Sequence, residues 1–177
     1  MLPYSLSTLT QLTQLNVCVG SQVDGICDIF WLYALTNLKQ LALSFRFGSA
    51  VIQLHNALSG LARLTSLSIS TTYPQSTVSL DVAWDALPLL KAVHLSCGRL
   101  DLTQRILSLT QAADLISLRI VTLGTANSMS MQHLGVLMYG MALECPGVHC
   151  IFGPELRHVP QLLSDFKKMA TFNSHTV

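Results

Sequence analysis

Three side chains, His94, Arg119 and His149, come nearest to forming a chemical constellation in this chain. They follow one another at intervals of 25 and 30 residues. A guanidinium flanked by imidazoles is suited to an anionic group such as a carboxylate or phosphate. Arginine offers paired donors in a fixed fork, and histidine gains charge below about pH 6.5. The other histidines, His55, His133, His158 and His175, are scattered, and no pair has helical ligand spacing with a third partner. There is no Gly-x-Ser-x-Gly elbow, no His-Glu-x-x-His and no Walker loop. Gly135 to Gly140 lacks the Lys-Ser/Thr sequel and reads as helix interior. No catalytic, cofactor-binding or metal-ligating residue is therefore expected, and the chain is read as a non-enzyme. The five cysteines, Cys18, Cys27, Cys97, Cys145 and Cys150, fit no zinc pattern. They are read as reduced thiols; a Cys145–Cys150 bridge is the alternative, and it would imply an oxidising compartment.

Composition narrows the classes of partner. Half of the 177 residues are hydrophobic and only 11 % are charged, against roughly 25 % in ordinary soluble domains. Such a chain can bury a continuous core and is a poor candidate for disorder. A formal net charge of +1 lacks the electrostatic footprint of a nucleic-acid binder or a protein of anionic membranes. The longest apolar stretch, Leu134 to Phe152, is interrupted by Glu144, Pro146 and His149, whereas a membrane span needs about twenty apolar residues. No secretory signal is read at Met1-Leu2-Pro3-Tyr4-Ser5.

An internal repeat must position any site. Leu12-Thr13-Gln14-Leu15-Asn16-Val17 recurs 26 residues on as Leu38-Lys39-Gln40-Leu41-Ala42-Leu43, then as Leu64-Thr65-Ser66-Leu67-Ser68-Ile69, then as Leu90-Lys91-Ala92-Val93-His94-Leu95. A step of 25 gives Leu115-Ile116-Ser117-Leu118-Arg119-Ile120, and a degenerate sixth copy ends at Val148-His149-Cys150. Two earlier columns also repeat: Leu9, Leu35, Leu61, Leu87, Ala112, and Leu6, Leu32, Leu58, Trp84, Leu109. The alternating end of each unit predicts a strand, near residues 15–17, 41–43, 67–69, 93–95 and 118–120. The preceding Leu-x-x-Leu-x-x-Leu has helical spacing, so each unit is a strand plus a helical or 3₁₀ return. One unit cannot bury its own apolar face; stacking makes each leucine column part of one core.

These residues resemble the leucine-rich repeat family, over roughly residues 6–123 and more weakly to about 152, with phrasing similar to that of plant and green-algal intracellular proteins. The resemblance implies an α/β fold, a right-handed solenoid with a parallel concave sheet and convex helices. Five outer helices are expected: Gly25 to Thr36, Ala50 to Leu61, Val78 to Leu87, Thr103 to Ala113 and Ser128 to Glu144. The chain departs from the family where an Asn or Cys should stand five residues after the first strand leucine. That column reads Gly20, Arg46, Thr72, Gly98, Leu123, so the side-chain ladder that satisfies turn backbone groups is expected to be missing, with glycine dihedrals in its place.

The array is assigned to residues 1–152 and a tail to 153–177, with a capping helix from Pro160 to Ala170. No N-terminal cap is visible; the first edge is expected to be covered by more of a longer chain, or alternatively by an assembly partner. Outward columns of the strands define the concave wall: Gln14, Gln40, Ser66, Ala92, Ser117; then Asn16, Ala42, Ser68, His94, Arg119, His149; then Cys18, Ser44, Ser70, Ser96, Val121. A wall of small, uncharged side chains suits a protein surface and not a phosphate backbone. The partner-binding candidates are Gln14, Asn16, Gln40, Ser68, His94, Arg119 and His149. Trp31, with Phe30 and Tyr33, is either an exposed aromatic patch or a filler of the space left by the missing cap. The expected function is a protein–protein interaction module without cofactor, nucleic acid or membrane, in the cytoplasm or in an assembly such as the ciliary axoneme. The alternative is the substrate-receptor arm of a ubiquitin ligase whose F-box lies outside these residues.

Overall fold

The computed structural model describes residues 8–20, 29–46, 51–54, 58–102, 104–112, 114–122, 135–141, 145 and 147–152. The tail 153–177, including the expected capping helix, lies outside the described residues. Six strands, β1 (Gln14–Gly20), β2 (Gln40–Arg46), β4 (Ser66–Thr71), β6 (Ala92–Cys97), β8 (Ser117–Thr122) and β9 (His149–Phe152), form one parallel sheet in that order. Three shorter strands, β3 (Val51–Gln53), β5 (Thr77–Leu80) and β7 (Arg99–Leu102), form a second parallel sheet. The architecture is α/β in class, with few helices. All five expected strands fall inside β1, β2, β4, β6 and β8.

The 26-residue step becomes a structural register. Leu15 pairs with Leu41, Leu41 with Leu67, Leu67 with Val93 and Val93 with Leu118. Residues of one column therefore touch across neighbouring strands, and the columns form one core. Leu41, Leu67, Val93 and Leu118 are buried, as are Leu43, Ile69, Leu95 and Ile120 two residues on. A carbonyl spine locks the entry to each strand. Thr13 O accepts the N–H groups of Lys39 and Gln40 (2.8 and 3.0 Å), Lys39 O those of Thr65 and Ser66, Thr65 O those of Lys91 and Ala92, and Lys91 O those of Ile116 and Ser117.

The returns differ from the expected helices, for a reason visible in their spacing. Leucines recurring every third residue match a turn of three residues better than one of 3.6. Leu35 N–H donates to Leu32 O and Leu38 N–H to Leu35 O; the same pair of bonds recurs at Leu58-Leu61-Leu64, Trp84-Leu87-Leu90 and Leu109-Ala112-Leu115. The segments are 3₁₀ in character: Phe30–Ala34, Trp84–Ala86 and Gln104–Gln111. Two expected helices are corrected outright. Ala50 to Leu61 holds β3 and Val78 to Leu87 holds most of β5. In both, Val-Ile-Gln-Leu and Val-Ser-Leu alternate, with Ile52, Leu54, Val78 and Leu80 buried, and β-branched residues fit a half-buried pleat. The described part of the fifth candidate, residues 135–141, is α-helical, with Leu137 and Met141 buried.

Trp31 is 9 % exposed and joins the core, so the aromatic patch is replaced by the space-filling role; Tyr33 alone of the described rings there stands in solvent. Cys145 carries no disulfide and donates its thiol to Thr110 O at 3.1 Å, against the alternative of a bridge.

Candidate functional site

In one unit the turn column that lacks Asn is served by its neighbour. Inward alternation runs one residue further than the leucines, through Val19, Phe45, Thr71, Cys97 and Thr122. Phe45, Thr71, Cys97 and Thr122 are buried. Thr71 Oγ1 accepts the N–H of Gly98 at 2.9 Å, the bond a ladder side chain would otherwise make. Gly98 is needed for space and not for dihedral freedom. A Cβ there would lie 2.6 Å from the Pro74 carbonyl and closer still to that of Tyr73. Burial pushes the Cys97 thiol up to about 12, so it is a packing residue with no nucleophilic use. This column was the part of the molecule sequence reasoning missed; its signal was the unbroken period of two after Val17 and Leu43.

The opposite parity of the same strands faces solvent. Gln14, Asn16, Gln40, Ala42, Ser66 and Ser68 line a shallow groove of about 390 Å³ across β1, β2 and β4. Gln14, Asn16 and Gln40 are exposed; Ala42, Ser66 and Ser68 are half-buried. Beyond it, Ser44 and Ser70 are hydrogen-bonded through their hydroxyls at 2.9 Å, and Ser96 continues that row next to Ser70. The backbone beneath is fully occupied by sheet pairing, so the face offers side-chain amides and hydroxyls as its polar groups.

His94 and Arg119 are register partners on β6 and β8, which brings two of the three basic candidates side by side. His94 is half-buried, and its pKa is held below 6.5 by that burial and by the neighbouring Arg119 charge. His149 is placed differently from expectation. It pairs with Ser117, and Ile151 stands opposite Arg119. The sixth unit is one residue shorter at its turn. Val148 N–H donates to Cys145 O as Leu115 N–H does to Ala112 O, and the next residue already enters the strand, with His149 N–H on Ile116 O. Counting from the degenerate copy shifted the register by two, which preserves the face but moves His149 along it. His149 is exposed.

Among the described residues no group of three His, Cys, Asp or Glu side chains is placed to hold a metal ion, and no helix is long and apolar enough to cross a membrane. No protein-family model matches the chain, and no curated protein shows significant similarity to it.

Proposed function

We propose that the chain is a leucine-rich-repeat-type, right-handed solenoid of the cytoplasm that acts without catalysis, binding a partner protein on the exposed face of its six-stranded sheet. The observation that carries this reading is the in-register face itself. Five units present mostly amide, hydroxyl and small side chains, with His94 and Arg119 in the middle column, in three continuous outward columns, and the first three strands shape them into a groove. Nothing about the core requires that face to be so small and so poor in charge, since charged side chains solvate an unused surface more readily. Small side chains let another surface approach closely, and unspent amide donors and acceptors give it something to pair with. The repeat period, the parallel register and the leucine columns support the family reading; the scarcity of helices among the described residues fits it less well.

The test is affinity capture with the wild-type chain beside Ala42→Arg and Ser68→Arg, which fill the groove, and Gln75→Arg, an exposed loop change outside it. A partner retained by wild type and Gln75→Arg but lost by both groove variants is the expected result. A partner indifferent to the groove variants would refute the reading.

A further inference from the structure

We infer that the partner's contribution to this face is an extended acidic peptide whose carboxylates engage the basic rim and Arg119. The inference rests on the reading above and adds the chemistry of the ligand.

Among the described residues, four of the seven cations stand apart from most of the acids. At the rim where the sheet strands begin, Lys39, Arg63 and Lys91 follow one another on successive units, all exposed. Arg63 is held along the rim by its bond to Asn37 Oδ1 at 3.0 Å, and Asn37 in turn donates to Thr10 O at 2.9 Å. Arg119, also exposed, stands on the adjoining face beside His94. Asp114 is the one carboxylate on that side among the described residues. The remaining described acids, Asp81, Asp85 and Asp101, belong to the second sheet and its returns, where Arg105 approaches Asp81 at 3.4 Å. The cations of the rim and face have no such partner among the described residues, and a complementary surface on a ligand would be negative.

The groove decides for a peptide. Gln14, Asn16, Gln40, Ser66 and Ser68 offer both donors and acceptors, which is what a polypeptide backbone needs and a phosphate chain does not. Spacing sharpens the prediction. Lys39 and Lys91 lie two strands apart, about 10 Å at the usual strand separation. A polyproline-II segment returns to the same face every third residue, about 9 Å on. Asp or Glu at positions three apart would therefore meet Lys39 and Lys91, with Arg63 between them.

The experiment is selection of a displayed random dodecapeptide library on the full chain. Enriched peptides are then synthesised and titrated by fluorescence anisotropy against wild type, Lys91→Glu/Arg119→Glu and Ala42→Arg. Circular dichroism melts confirm folding; Lys91→Gln/Arg119→Gln replaces the reversal if the latter unfolds. The expected result is enrichment of Asp/Glu-x-x-Asp/Glu, binding about tenfold weaker in the reversal variant, and weaker binding at high salt. Enriched peptides with no acidic bias that are lost only in Ala42→Arg would overturn this inference and leave the proposed function standing. Peptides indifferent to both variants, or no enrichment, would overturn both. A labelled single-stranded oligonucleotide bound as tightly as the acidic peptides, and lost with them in the reversal variant, would overturn the inference in favour of a generic polyanion site.

Discussion

The first and the middle units carry the same leucine columns and bury them to different degrees. Leu9 is 46 % exposed, whereas its column mates Leu35, Leu61 and Leu87 are fully buried. Leu12 and Leu15 are only partly buried, while Leu64 and Leu67 are sealed. The residue types are equal, so the difference comes from neighbours. A middle unit has a strand on both sides; β1 has only β2 among the described strands. Burial here is a property of stacking, and stability follows it unit by unit.

The largest expected contrast is between Leu67→Ala and Leu15→Ala. Truncating a sealed leucine costs about 2–5 kcal/mol. Leu15, already open to water, should lose less than about 2 kcal/mol because less apolar area and less cavity are at stake. Urea titrations of the two variants measure the difference, and equal losses would break the comparison. Next comes glycine. Gly98→Ala forces a Cβ into the backbone of Tyr73 and Pro74, so about 1–3 kcal/mol should be lost to overpacking. Gly20→Ala, its equivalent in the first unit, meets nothing within 4 Å and should be near neutral in the same titration.

A smaller contrast separates two threonines of one buried column. Thr71 accepts from Gly98 N–H, whereas Thr122 Oγ1 is buried with no hydrogen-bond partner among the described residues. Thr71→Val should cost about 1–2 kcal/mol by orphaning a buried donor; Thr122→Val should be neutral or stabilising, since it removes an unpaired hydroxyl. Thermal melts that rank them the other way would show the hydrogen bond to be unimportant.

The smallest effect is the pH response of His94. Its folded pKa lies below the unfolded 6.5, so the unfolded chain binds more protons between the two values. Stability should fall as pH drops through that window and level off below the folded pKa. His94→Gln should flatten that part of the stability profile measured by urea titration at stepped pH, and an unchanged slope would assign the response to another group. A bound carboxylate reverses the local balance, raising the His94 pKa, so acidic-peptide affinity should rise on acidification until repulsion with Arg119 limits the gain.

Much of this was legible in the residues. Leu-x-x-Leu-x-Leu at 26-residue steps specified the strands, their parallel register and which parity faces inward, because a period of two admits only one buried face. Four of the five outer segments were misread as helices because the short run Leu-x-x-Leu-x-x-Leu was read at a period near 3.6, although its step of three matches a 3₁₀ turn better; the hydrogen bonds to the third residue back settle it. Val51-Ile52-Gln53 and Val78-Ser79-Leu80 are too short for their alternation to outweigh the leucines that follow. Val148 had been matched to the strand residue Leu118, whereas it closes its return as Leu115 does; with one residue fewer before the strand the register moves by two, which is why His149 was set opposite Arg119. The groove was legible as outward columns. The charge segregation was not, because Lys39, Arg63 and Lys91 come together only once units are stacked.

Each unit is held by its neighbours. Native-state hydrogen exchange of two equivalent amides tests it. Gln40 N–H bonds to Thr13 O in the first unit at 3.0 Å, and Ala92 N–H bonds to Thr65 O in the third at 3.1 Å. With bonds so alike, the account predicts that Gln40 exchanges faster, through a local opening insensitive to denaturant, while Ala92 exchanges only with global unfolding. Equal protection of the two, with the same denaturant dependence, would contradict it.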